Sequence, residues 1–130
     1  MKIVDKETFL KLPSGVLFSF YQRIIFTDLC VKAETISETS DFSFLSIVGN
    51  VESGSSEDFF EKCERALEQG ERLNLSFDMK DTIREGMFNP EQKFAVYEKE
   101  DLAGLFFIAG YVYATYYKND IDALLVKNKE

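Results

Sequence analysis

Period-two alternation is what most restricts the folds open to this chain. Leu73, Leu75, Phe77 and Met79 alternate with Arg72, Asn74, Ser76 and Asp78, and Leu29, Val31, Ala33 and Thr35 alternate with Cys30, Lys32 and Glu34. Successive side chains on a strand point to opposite faces, so both runs predict half-buried strands. Val16–Tyr21, Phe42–Val48 and Lys93–Glu98 add β-branched and aromatic runs, with Asp41, Gly49-Asn50 and Asn89-Pro90 supplying breaks between them. Two longer segments, residues 56–69 and 102–117, carry helical periodicity instead. Together they predict an α+β fold: an antiparallel sheet of about five to six strands with two main helices packed on it, in a single domain over residues 1–130.

Local signals place the helices. Asp5-Lys6-Glu7-Thr8-Phe9-Leu10 opens a turn or two of helix that Pro13 and Gly15 close. Ser55 followed by Asp58 approximates a capping box, and Gly70 stops the helix that follows; its inward stripe is expected to be Phe59, Phe60, Cys63, Ala66 and Leu67. Glu100 and Asp101 favour a helix start at their position. Leu102 to Tyr117 is then sixteen residues without a charge. Leu102, Leu105, Phe106, Ala109, Tyr113 and Tyr116 form one stripe, but Phe107, Ile108, Tyr111 and Val112 make the other side apolar as well. A helix apolar all round is central or covered by something else. It is short for a membrane span, which needs about 20 residues. Burial between the sheet and a second copy fits, with Gly104 and Gly110 permitting close approach. Phe107, Tyr111, Tyr113 and Tyr117 are therefore candidate interface residues of a homodimer; a strand from Tyr111 to Tyr117 is the alternative. Asp120–Val126 reads as one further short helix.

Charge and composition narrow the function. Glu38, Asp41, Glu52, Glu57, Asp58, Glu61, Glu64, Glu68 and Glu71 face only Lys62 and Arg65 within residues 37–71, so that segment holds −7 of the total −8. Such a field repels nucleic acid and membrane phosphates and attracts a basic protein surface. No basic stripe is present for nucleic acid to follow, so neither direct nucleic-acid binding nor membrane binding is expected. Thirteen Phe and six Tyr exceed what a core of this size ordinarily uses, which leaves aromatic surface for a partner. Met1 to Lys11 mixes charged and apolar residues, unlike a signal peptide, and two cysteines make no disulfide framework; a reducing cytoplasm is the simplest setting.

The chain has no histidine, which removes the commonest general base and metal ligand. Cys30 and Cys63 read as small core residues, and Pro13-Ser14-Gly15 lacks the Gly-x-Ser-x-Gly elbow. No catalytic residue, cofactor or metal site is therefore assigned. Asp78, Asp81 and Glu85 are oxygen ligands spaced too loosely for a calcium loop and read as a solvated loop. Arg84-Glu85-Gly86 allows an anion-contacting turn, with an internal ion pair as the simpler reading. Arg23 and Arg84 are the candidate ligand-binding residues if the protein holds a nucleotide-like molecule between aromatic rings. A carboxylate-dependent hydrolase is the third class left open, because two acids suffice for glycosidic chemistry.

Two segments, Asp5-Lys6-Glu7-Thr8-Phe9-Leu10-Lys11-Leu12-Pro13-Ser14-Gly15-Val16-Leu17-Phe18 and residues 84–102 from Arg84-Glu85-Gly86-Met87-Phe88 to Asp101-Leu102, are similar to small uncharacterised proteins of bacteriophages and prophages. The resemblance brings no activity. It implies an accessory role in a bacterial host cytoplasm. Phe106–Tyr117 departs from the more ordinary helix expected there, which leaves room for an interface particular to this chain. The expectation is a non-enzymatic protein that acts by binding another protein through its acidic or aromatic surface.

Overall fold

The structure is a computed structural model that describes residues 1–117 except Thr39 and Gly49. It forms two compact units. The first comprises Met1–Asn50 and Leu75–Glu98; the second comprises Val51–Asn74 and, among the described residues, the chain from Lys99 to Tyr117. The helix expected over residues 120–126 lies outside the described residues.

The first unit is one antiparallel sheet with strands β1 (Lys2–Val4), β2 (Leu17–Gln22), β3 (Ile25–Ser37), β4 (Asp41–Ser46), β5 (Ile83–Arg84) and β6 (Lys93–Val96) in the order β1-β6-β2-β3-β4-β5. The last strand in sequence lies between the first two, with Phe94 opposite both Val4 and Phe20. Helix α1 (Lys6–Leu10) is capped by Asp5, whose Oδ1 accepts from the Thr8 N–H at 2.8 Å. That cap aims Phe9 into the sheet. The Phe9 ring stacks on Phe94 at 4.0 Å and meets Phe18 and Phe42 edge-on at 4.7 and 4.9 Å. Phe9, Phe18, Phe42 and Phe94 are all fully buried. Offset and edge-on ring pairs are favourable beyond their area, by about 0.5–1.5 kcal/mol each.

The β2–β3 hairpin closes through Arg23 (φ +46°) and Ile24 (φ +66°). Both dihedrals belong to the two-residue turn that matches strand twist, which Asn-Gly ordinarily occupies. A β-branched residue there is strained by about 1–3 kcal/mol.

Three expectations are corrected. No strand forms over Arg72–Met79: Leu75, Phe77 and Met79, expected inside, are 45, 68 and 45% exposed. Local polar chemistry wins over the alternation. Asp78 O accepts the Asp81 N–H and Asp78 Oδ1 the Lys80 N–H, both at 2.9 Å, and Ser76 Oγ bonds to Asp81, which together make a turn. Sheet-type pairing is left at a single bridge at Leu75, beside which the Ser76 N–H donates to Asn50 O at 2.7 Å. The short β5 takes the sheet edge instead. In the second unit, α2 (Ser56–Gln69) has the predicted ends, with Ser55 Oγ accepting from Asp58 N–H at 3.1 Å and Gly70 at φ +69°. Its stripe is only partly covered: Phe59, Cys63 and Ala66 are half-buried, while Phe60 and Leu67 are 66 and 86% exposed. The third concerns α3 (Lys99–Val112) and the π-helical turn Tyr113–Tyr117 that continues it. Helix prevails over the alternative strand at 111–117. Yet neither α3 nor the turn contains a buried residue, so the burial on one side expected from the sequence is missing among the described residues.

Candidate functional site

Among the described residues, one place in each unit leaves recognition chemistry unspent. The first is the surface of α3 and its π-helical continuation. Phe106, Phe107 and Tyr113 are 83, 72 and 74% exposed, and Tyr111, Tyr116 and Tyr117 are about half exposed. The four predicted interface residues are thus all at the surface. They fall into two pairs. Tyr113 and Tyr117 border a hollow of about 450 Å³ with Ile108, Ala109 and Val112; Phe107 and Tyr111 are four residues apart and share a helix face. A methyl group placed on Gly104 or Gly110 meets nothing within 4 Å, so both positions are open to close approach. Leu102, Leu105, Ala109 and Val112 follow one another at intervals of three and four residues within α3, the spacing of a helix-pairing seam. Sequence reasoning named the apolar stripe but not this seam, whose signal was present in the spacing.

The second place is built around Asp41, at the start of β4. Its side chain is inaccessible to solvent. Burial alone opposes its ionisation, but hydrogen bonds from the Gly86 N–H, the Arg84 guanidinium and the Phe42 N–H outweigh it and hold the carboxyl below its usual range. Arg84, one of the two predicted ligand residues, is thereby fixed through Nε, and its guanidinium lies over the Phe88 ring at 5.5 Å. Phe88 holds φ +56° to place that ring. The side chain of Arg84 remains 58% exposed. It lines a cleft of about 370 Å³ whose apolar walls include Phe20, Phe44 and Met87, with Asn89 and Gln92 as further polar groups. Glu85 turns to Lys6, 3.9 Å away, and both side chains are nearly inaccessible. The Arg84-Glu85-Gly86 turn is therefore an internal ion-pair turn. Arg23, the other predicted ligand residue, sits at the tip of the β2–β3 hairpin, and the structure does not make it part of this cleft.

The remaining candidates are spent elsewhere. Asp78, Asp81 and Glu85 do not converge, and among the described residues no group of three or more Asp, Glu or Cys side chains is placed to hold a metal ion. Burial and the nearby Asp28 charge push the Cys30 thiol up to about 12, which keeps it protonated. A larger hollow of about 910 Å³ beside α1 is rimmed by Lys6, Glu7, Lys11 and Glu38, but Lys6 pairs with Glu85 and Lys11 with Glu7. The acidic segment is also reduced on folding. Asp41 is internal, Asp58 accepts from Gly54 N–H and Lys62, and Glu71 pairs with Arg65. Glu57, Glu61, Glu64 and Glu68 are left as one exposed stripe along α2.

Among the described residues no helix is long and apolar enough to cross a membrane. No family model, no curated protein and no solved structure matches the chain. Its own geometry is what bears on function.

Proposed function

We propose that this is a non-enzymatic protein-binding module that assembles through α3 and the π-helical turn, with a second copy of the chain as the occupant of that surface. The observation that carries the reading is the exposure of the uncharged segment on every side. Its accessible rings and aliphatic chains amount to about 1,000 Å², taking roughly 150–250 Å² for a whole aromatic side chain. That total is spread round the whole helix and is of the same order as the roughly 800 Å² that a standard interface takes from each partner. Residues 102–117 carry no charge, so a basic partner gains nothing there and the partner surface must itself be apolar. A second copy supplies such a surface at equal concentration, with the 102/105/109/112 seam self-complementary about a two-fold axis. Single-turn π-helical segments recur at functional sites, which accords with one at the end of this surface. The exposed Glu57, Glu61, Glu64 and Glu68 stripe then serves as the face for a basic protein. The resemblance to phage and prophage proteins supports an accessory role in a bacterial cytoplasm.

Light scattering coupled to size-exclusion chromatography at low and high salt tests the assembly. The expected result is a dimer whose mass does not respond to salt, converted to monomer by Leu105→Asp and by Val112→Asp with unchanged circular dichroism. A wild-type protein that is monomeric at both salt concentrations would overturn the reading.

A further inference from the structure

We propose that the cleft beside Arg84 is a binding site for a small aromatic monocarboxylate. A guanidinium fork binds a carboxylate through two parallel hydrogen bonds, provided that its plane is held in place. Arg84 is held on two sides, by the buried Asp41 at Nε and by the Phe88 ring beneath it. The exposed part of its side chain borders the cleft. Asn89 accepts the Glu91 N–H on Oδ1 at 3.0 Å, which leaves its amide nitrogen as a second donor at the same rim. Phe20 and Phe44, with ring centroids 5.5 Å apart, offer an apolar wall for a ring. The volume of about 370 Å³ is at the lower end of small-molecule sites, enough for one ring system.

Charge decides the anion. Asp41 already offsets Arg84 and Lys6 faces Glu85, while Asp28 also lines the cleft, at φ +63°. A dianionic phosphate is repelled by that surplus negative charge; a monocarboxylate gains the fork at half the repulsion.

The site is in the sheet unit, and its test is independent of assembly through α3. Naphthalene-2-carboxylate is titrated into 15N-labelled protein, with naphthalene-2-carboxamide and adenosine monophosphate as comparison probes. Saturable shifts centred on Gly86–Asn89 are expected for the carboxylate, with each comparison probe at least tenfold weaker. Met87→Asp, at a wall position that is 77% exposed, is expected to weaken binding at least tenfold without altering the fold. Asp28→Asn is expected to strengthen it. Equal binding of the carboxamide, tighter binding of the monophosphate, or no saturable shift at these amides would each overturn the proposal.

Discussion

Phe9 and Phe106 are the same side chain in opposite circumstances. Phe9 sits on a helix of five residues and is fully buried against three other rings; Phe106 sits on a helix of fourteen and is 83% exposed. The difference is not one of hydrophobicity. The sheet unit gathers Phe18, Phe42 and Phe94 from three strands onto one face, so a single turn of helix finds a prepared surface. The described part of the second unit offers α3 no such face. The contrast teaches that long apolar helices need a partner surface that short ones obtain from strand pairing, and it separates aromatic residues that stabilise the chain from those left for recognition.

The sharpest way to break this contrast is to truncate both rings. Phe9→Ala is expected to lower stability by about 3–5 kcal/mol, whereas Phe106→Ala leaves it within about 0.5 kcal/mol at concentrations where the protein is monomeric. Urea unfolding measures both; comparable losses would erase the distinction.

Asp41→Asn comes next, with a loss of about 3 kcal/mol expected because it leaves the Arg84, Gly86 and Phe42 donors without their carboxylate. Because the native carboxyl titrates below its ordinary value of 3.8, its contribution is complete above that pH and disappears as pH falls through the lowered value. The gap between wild type and variant is therefore expected to narrow below about pH 4 in a pH series of thermal melts. A constant gap would show that packing, not ionisation, sets it.

Lys32 sharpens the comparison from the other side, as a charge inside the aromatic core. It is 1% exposed, lies 5.9 Å from the Phe9 ring centre, and donates to two neutral acceptors, Thr35 Oγ1 at 2.8 Å and Ala33 O at 3.3 Å. Burial lowers its pKa, so its charge weakens the native state at neutral pH. Lys32→Met is expected to stabilise by about 1 kcal/mol, since Thr35 keeps its bond to Leu10 O. The gain should fade as pH rises through the lowered pKa toward 10.5. Calorimetry at pH 7 and pH 10 distinguishes this from a structural role for the amine, which would make the variant less stable at both. An effect of similar size belongs to the second unit: Ser55→Ala removes the α2 cap at a cost of about 1 kcal/mol, detectable as faster amide exchange confined to the first turn of α2.

Much of the fold was legible because its signals are local. The Asp5 and Ser55 caps, Gly70, and the strands around Phe18, Val31, Phe44 and Phe94 each announce themselves within a few residues. Arg72–Met79 shows where such reading fails. Its alternation is as regular as that of β3, but the turn chemistry of Ser76, Asp78 and Asp81 captured its backbone. Of the candidate site residues, Arg84 was legible as an anion-contacting guanidinium or half of an internal ion pair, but its partner was not: Asp41 lies 43 residues away and was counted only within the acidic segment. Hydrogen bonding across strands leaves no local trace.

The sequence by itself determined an α+β chain, an antiparallel sheet, the ends of α2 and an uncharged helix after Asp101, because capping, periodicity and charge act over one or two turns. Only the tertiary structure decided that β6 lies between β1 and β2, that Asp41 is an internal anchor for Arg84, and that Phe9 is covered while Phe106 is not. Those outcomes depend on which surfaces meet, and strand pairing brings together residues whose separation along the chain carries no record of the contact.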